Sequence, residues 1–152
     1  MSDRLTPLWT ETAGEAFGES GNKGRVGEVL VLNKLVEQSL PAIDFEEDRY
    51  KQVTGVDIQS GSYTLDIKAN LHEKAFFIEV DPEGWLFHPF KCSDIIVHVD
   101  IDCGDIVWYR RACAKTKLRC NPLRPLVRIH EGNFKPEWMS RSWEDLFQLL
   151  RS

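Results

Sequence analysis

The chain has 152 residues, and its 24 acidic side chains outnumber 19 basic ones for a net charge of −5. Apolar and charged contents are ordinary for a globular domain of this length, no run is long and apolar enough to span a membrane, and Met1-Ser2-Asp3-Arg4 does not open a secretion leader. The acidic balance excludes bulk electrostatic capture of nucleic acid, so one soluble cytoplasmic domain spanning 1–152, whose charge chemistry is local, is expected.

Residues 1–21 read as an N-terminal arm. Leu5, Leu8, Trp9 and Ala13 suit a short amphipathic helix over Pro7 to Phe17, which Gly14 and Gly18 weaken; packing or dimerisation would be its role. From Asn22 to about Gln38 the pattern predicts a helix capped by Asn22 or Ser20. Glu28, Leu32 and Leu35 fall at i, i+4 and i+7, so a carboxylate sits on the apolar stripe. A buried carboxylate needs a partner, either a metal or a basic side chain. Gly24 and Gly27 would let this helix approach a sheet closely. Ser39-Leu40-Pro41 ends it, and the charged stretch Ile43 to Val53 reads as an extended edge strand.

Gly55 to Lys68 is the stretch that carries chemistry. Val56 and Ile58 alternate with Asp57 and Gln59, Ser60-Gly61-Ser62 makes a turn, and Tyr63, Leu65 and Ile67 alternate with Thr64, Asp66 and Lys68. That is a β-hairpin with one apolar face. Asp66 and Lys68 share the other face, and Asp57 can approach them from the neighbouring strand. Two carboxylates are suitable oxygen donors for a hard cation such as Mg²⁺, which keeps several waters. A cation there activates a water and neutralises a scissile phosphate, with Lys68 placed to stabilise developing charge. The same three residues would also make an ordinary surface ion pair, worth less than about 1 kcal/mol.

Beyond Asn70 to Lys74, a loop carrying His72, the run Ala75 to Val80 predicts a central strand with Glu79 on the face opposite Phe76, Ile78 and Val80. Asp81-Pro82-Glu83-Gly84 is a turn, and Trp85, Phe87 and Phe90 cover the core. Asp94 to Asp100 and Asp105 to Tyr109 form a second hairpin around Asp102-Cys103-Gly104, with His98 in a structural role. Arg111 to Leu118 reads as a helix. From Arg110 to Arg128 the charged residues are all basic (Arg110, Arg111, Lys115, Lys117, Arg119, Arg124 and Arg128), a local patch suited to phosphates. Leu126 to Ile129 is a short strand and Glu131 to Met139 a loop. Ser142 caps a last helix with Asp145 three residues on and the stripe Trp143, Leu146, Phe147, Leu150. Cys92, Cys103, Cys113 and Cys120 contain no Cys-x-x-Cys pair. They read as reduced, small buried apolar residues rather than as zinc ligands with His88 or His98.

Asp57 followed by Asp66-Ile67-Lys68 resembles the Asp…(Asp/Glu)-x-Lys core of the PD-(D/E)xK nuclease superfamily, which includes restriction endonucleases, Holliday junction resolvases and phage nucleases. Gly24-Arg25-Val26-Gly27-Glu28 upstream, Phe76-Phe77-Ile78-Glu79-Val80 downstream, Gly84-Trp85 and Lys91-Cys92-Ser93-Asp94 extend the likeness over roughly residues 21–109. It departs at Val56, where the pattern has proline. The resemblance implies a restriction-endonuclease-like α/β core, a central mixed β-sheet flanked by helices. It also implies a metal-dependent DNA endonuclease acting on branched or structured DNA, of phage or bacterial origin, in the host cytoplasm if phage-encoded. Asp57, Asp66, Glu28 and the Ile67 carbonyl would serve Mg²⁺ (with Mn²⁺ as a substitute), Lys68 would act on the transition state, and Arg110, Arg111, Lys115, Lys117 and Arg119 would hold phosphates. DNA and a second copy of the chain are the expected partners, with no membrane and no small-molecule cofactor. A non-catalytic nucleic-acid- or protein-binding module, or an acidic inhibitor, is the alternative on the same fold.

Overall fold

A computed structural model of the chain describes residues 14–80, 92–111, 123, 126–130 and 138–152. Its elements in chain order are α1 (Gly14–Glu37), β1 (Ile43–Asp44), α2 (Arg49–Val53), β2 (Ile58–Ser60), β3 (Tyr63–Lys68), β4 (Ala75–Glu79), β5 (Ile95–Val99), β6 (Ile106–Arg110), β7 (Leu126–His130), β8 (Met139–Ser140) and α3 (Trp143–Arg151). One sheet runs β1-β2-β3-β5-β6-β8 and a second pairs β4 with β7. The first is mixed. β3 and β5 are parallel, and its other pairings are antiparallel.

The middle of the molecule is β5, whose five residues are all buried. Period-two alternation sends Ile95, Val97 and Val99 to one face and Ile96 and His98 to the other. On the first face these pack with Ile58, Leu65, Ile67, Ile106 and Trp108 beneath Val31 and Leu35 of α1 and Leu146, Phe147 and Leu150 of α3. On the second face Ile96, Val107 and Tyr109 pack against Phe76 and Ile78 of β4 and Ile129 of β7. The class is therefore α/β with a mixed sheet, but α1 and α3 cover one face only. Among the described residues a two-stranded ribbon lies on the other.

Several boundaries are corrected. α1 already spans Gly14–Glu37, so the start predicted at Asn22 lies inside it. No proline interrupts residues 14–21, and a helix tolerates each glycine there at about 1 kcal/mol. Residues 1–13 lie outside the described part. The predicted edge strand over Ile43–Val53 is only two residues of strand, then a turn, then α2. Asp44 Oδ1 accepts from Glu46 N at 3.1 Å and Asp48 Oδ1 accepts from Lys51 N at 3.0 Å. Such side-chain bonds favour turns and helix starts over a ladder. Ala75–Val80 yields β4 in the ribbon rather than a central strand, with Phe76, Ile78 and Val80 buried on one face while Phe77 and Glu79 face out on the other. Cys92 and Cys103 are exposed, against the expectation of burial. Cys113, Cys120, the aromatic segment at 85–90 and residues 112–118 of the predicted Arg111–Leu118 helix lie outside the described residues. So do His88, Lys91 and positions 131–137.

The two hairpins and the last helix form as their sequences require. Ser60 pairs with Tyr63, leaving Gly61-Ser62 as a two-residue turn with Gly61 at φ +60°. Ser142 Oγ accepts from Asp145 N at 3.0 Å at the start of α3.

Gly27 sets how closely α1 meets the sheet. A Cβ there would stand 3.0 Å from the Ala69 Cβ and 3.6 Å from Ile67 Cγ2, whereas one at Gly24 would meet nothing within 4 Å. Gly27→Val is therefore expected to lower stability by about 1–3 kcal/mol through overpacking. Gly24→Ala is expected to raise it by about 0.5–1 kcal/mol through helix propensity alone. Urea midpoints of the two variants, moving in opposite directions, check both.

Candidate functional site

Asp57 lies just before β2 and is fastened to β3 by its backbone and its side chain. Its N–H donates to Leu65 O at 2.9 Å, its carbonyl accepts from Phe45 N at 3.0 Å, and its Oδ2 accepts from Ile67 N at 2.7 Å. The strand partner Asp66 points to the ribbon side of the sheet. Both side chains are buried, with Asp57 7% and Asp66 4% exposed, and the two residues lie side by side across the β2–β3 pairing. Burial pushes the Asp57 carboxyl up from its ordinary value. The Ile67 N–H opposes this and the charge of Glu28 adds to it. Two neighbouring buried carboxyls are costly unless positive charge stands near them.

Two cations stand near the Asp66 oxygens. Lys68 Nζ is 3.8 Å from Oδ1 and Arg111 Nη2 is 3.9 Å from Oδ2. Lys68 also donates to Glu79 Oε1 at 3.1 Å, which settles Glu79 as the lysine's partner. Burial alone would lower the Lys68 pKa, but Asp66 and Glu79 outweigh it and hold it above the ordinary value. Lys68 therefore keeps its proton at neutral pH. It is a donor and a charge, not a base. Arg111 is held by Ser93, whose carbonyl and hydroxyl accept from its Nε and Nη2, each at 2.9 Å. Asp94 clamps the start of β5 onto β3, accepting from Thr64 N at 2.9 Å and Thr64 Oγ1 at 3.1 Å. The end of the Lys91-to-Asp94 motif thus fixes the register that presents Asp66.

Glu28 is not gathered into this group by contact. Its partner is Arg25, at 3.1 Å, and the same guanidinium holds Asp44 at 2.7 Å and Glu46 at 3.1 Å. Of the two partners open to a buried Glu28, the structure supplies the basic one. Burial raises the Glu28 carboxyl and Arg25 partly restores it. The helix face on the sheet is Gly27, Val31 and Leu35 rather than Glu28, Leu32 and Leu35. Glu28 therefore flanks the core face and acts on Asp57 through its charge. Among the described residues no three His, Cys, Asp or Glu side chains gather to hold a metal. Asp57 and Asp66 remain as a buried two-carboxyl oxygen donor set, and the chemistry of that pair fits a hard divalent cation that keeps much of its water shell.

The basic segment divides. Arg111 turns inward to Asp66, whereas Arg110 is exposed with its guanidinium 5.7 Å from the Tyr63 ring centroid. Arg128 is exposed on β7. Lys115, Lys117, Arg119 and Arg124 lie outside the described residues.

Sequence reasoning missed a buried polar chain beside the site. Asn70 Nδ2 donates to Phe77 O at 3.1 Å, which turns Asn70 Oδ1 toward His98 Nδ1 at 2.8 Å. Nδ1 must then carry the proton, so His98 Nε2 accepts from the Tyr109 hydroxyl at 3.1 Å. His98 is 1% exposed and lies against Phe76, with ring centroids 4.4 Å apart and a 36° tilt between the rings. The only sequence signal was a histidine within a strand that is otherwise apolar. In its exposed loop, His72 Nε2 stands 4.0 Å from Glu73 Oε1.

No family model matches the chain, and no curated protein or solved structure matches it.

Proposed function

We propose that this chain is a metal-dependent nuclease on a restriction-endonuclease-like fold, hydrolysing phosphodiester bonds in DNA as an endonuclease on branched or structured substrates. The observation that carries the reading is the pair of adjacent buried carboxyls, Asp57 and Asp66, with Lys68 and Arg111 near the two oxygens of Asp66. Such a group is costly to a fold and has no packing purpose that apolar residues would not serve better.

Asp57 and Asp66 would hold a Mg²⁺ ion, with Mn²⁺ as a substitute and the Ile67 carbonyl as a further donor. The ion supplies an activated water and charge neutralisation at the phosphate. The protonated Lys68 donates to phosphate oxygen as charge develops, and Arg111 holds Asp66 in place from the other side. Glu28 biases Asp57 electrostatically while Arg25 restrains it. Arg110 and the basic residues that follow it would hold flanking phosphates.

The Arg25–Glu28 ion pair favours a second reading. A carboxylate already neutralised is one donor fewer, as in a module that binds nucleic acid or protein without cutting. One experiment separates the two. Purified protein is incubated with labelled linear duplex, single-stranded, flap and four-way-junction DNA in Mg²⁺, Mn²⁺ or EDTA. Cleavage in either metal, lost in EDTA and in Lys68→Ala, is the expected result. Intact substrate in every metal condition, from protein whose melting curve is cooperative, rejects the nuclease in favour of the module.

A further inference from the structure

The β4–β7 ribbon has an outer face that its packing does not explain. Its inner face is closed by Phe76, Ile78 and Ile129. On the outer face Phe77 is 46% exposed, and its cross-strand partner in the register is Arg128, also exposed. Directly opposed side chains on one face of an antiparallel pair are neighbours. Among the described residues the Arg128 side chain has no ion pair, hydrogen bond or ring contact, and no cation–π contact joins it to Phe77. An uncovered aromatic ring therefore stands beside an unengaged guanidinium.

This pair adjoins the candidate site. Glu79 follows Phe77 by two residues on the same face, about 7 Å along the strand, and its carboxylate holds Lys68 Nζ. Lys68 in turn faces Asp66. Asn70 ties the Phe77 carbonyl to the polar chain through His98, so β4 is fixed relative to β3 and β5.

We infer that the Phe77–Arg128 face is a binding subsite for one unpaired nucleotide of a single-stranded DNA segment, with the base stacked on Phe77 and a phosphate on Arg128, and with the strand running on past Glu79 toward Lys68. The inference deepens the nuclease reading and rests on it for the strand's destination. Charge and shape select this occupant. Base–aromatic stacking needs a base whose face is open, which duplex DNA offers only at its ends. The adjoining cation supplies the sequence-independent phosphate contact. A phosphate-bearing occupant is the one that matches the positive charge of the exposed Arg128 standing opposite the exposed Phe77 ring.

The test is binding by the full chain in EDTA, where cleavage is silent, using a labelled oligothymidylate and a blunt duplex of equal length. Phe77→Ala should weaken oligothymidylate binding by roughly tenfold and leave duplex binding unchanged. Phe77→Trp should retain affinity and show emission quenched by the oligonucleotide beyond any quenching in wild type. Arg128→Ala should reduce the slope of log affinity against log salt by about 0.7, the value for one single-strand phosphate. Equal binding by wild type and Phe77→Ala, or no oligothymidylate binding by wild type, overturns the subsite. The nuclease reading fails separately. Phe77-dependent binding without cleavage in Mg²⁺ or Mn²⁺ keeps the subsite and rejects the enzyme, whereas cleavage with Phe77-independent binding does the reverse.

Discussion

Asp66→Asn is expected to reduce DNA cleavage by about 10³-fold or more, the scale on which loss of one preorganised charge acts, and to leave thermal stability within about 1 kcal/mol of wild type. The asparagine keeps the shape and its amide can hydrogen-bond Asp57, so no cavity or orphaned donor is created. It removes a negative charge from a pair of adjacent buried carboxyls, which is a gain. Lys68 and Arg111 lose a partner, but at 3.8 and 3.9 Å those pairs are long, and Glu79 and Ser93 keep both cations engaged. A group needed for chemistry and nearly neutral for folding is what distinguishes a site from a structural ion pair. Cleavage rates and melting curves on the same preparation check it. Wild-type cleavage by Asp66→Asn would remove the carboxyl pair from the mechanism.

Acidification should destabilise the protein through His98. Burial, with a smaller contribution from the nearby Lys68 charge, lowers its pKa from 6.5 to about 3. The unfolded chain therefore takes up a proton below about pH 6.5 while the folded chain does not until about pH 3. The stability associated with the neutral imidazole is fully present above 6.5 and is lost progressively as pH falls through that window. The total is on the order of 5 kcal/mol. Asp57 and Glu28 act in the opposite sense. Their folded pKa values are raised, so the native state holds their protons more tightly and gains stability as pH falls. A difference measurement isolates the histidine. His98→Gln should be less stable than wild type at pH 7 by about 1–3 kcal/mol, since its amide meets Asn70 and Tyr109 imperfectly. The gap should close as pH drops from 7 to 4. Urea midpoints across that range give the answer, and parallel curves for the two proteins would rule out a neutral buried His98.

Period-two patterning made the two hairpins and the α3 stripe readable, because strict alternation and a Ser-x-x-Asp cap are local signals. The same reasoning placed Asp57, Asp66 and Lys68 together, since strand geometry alone puts them on one patch. What could not be read was which layer meets which. Ala75 to Val80 carries the pattern of a strand with one apolar face, and nothing local says that its partner is a run some fifty residues later rather than β3. Glu28 was read as a member of the site because its helical spacing was anchored on Leu32. The true anchor is Gly27, a residue with no side chain to advertise its contact with Ala69. Arg25 was invisible for the opposite reason. Its partners Asp44 and Glu46 come from beyond the end of the helix, and only the fold brings them within reach. The Asn70–His98–Tyr109 chain spans three elements and no short window contains it.

The double burial of β5 bears on how the chain folds and how it comes apart. Its residues seal two separate apolar layers at once, and its parallel neighbour β3 is reached only after the chain has gone out through β4. Neither layer can peel away without wetting the back of the other, so partial opening of either half gains little over complete unfolding. The parallel pairing also joins residues some thirty positions apart, so loop-closure entropy is lost before that pairing yields any contact. Assembly should accordingly be slow for a chain of this length and concerted. The two-carboxyl patch, suspended on β3 between the two layers, exists only once both have closed.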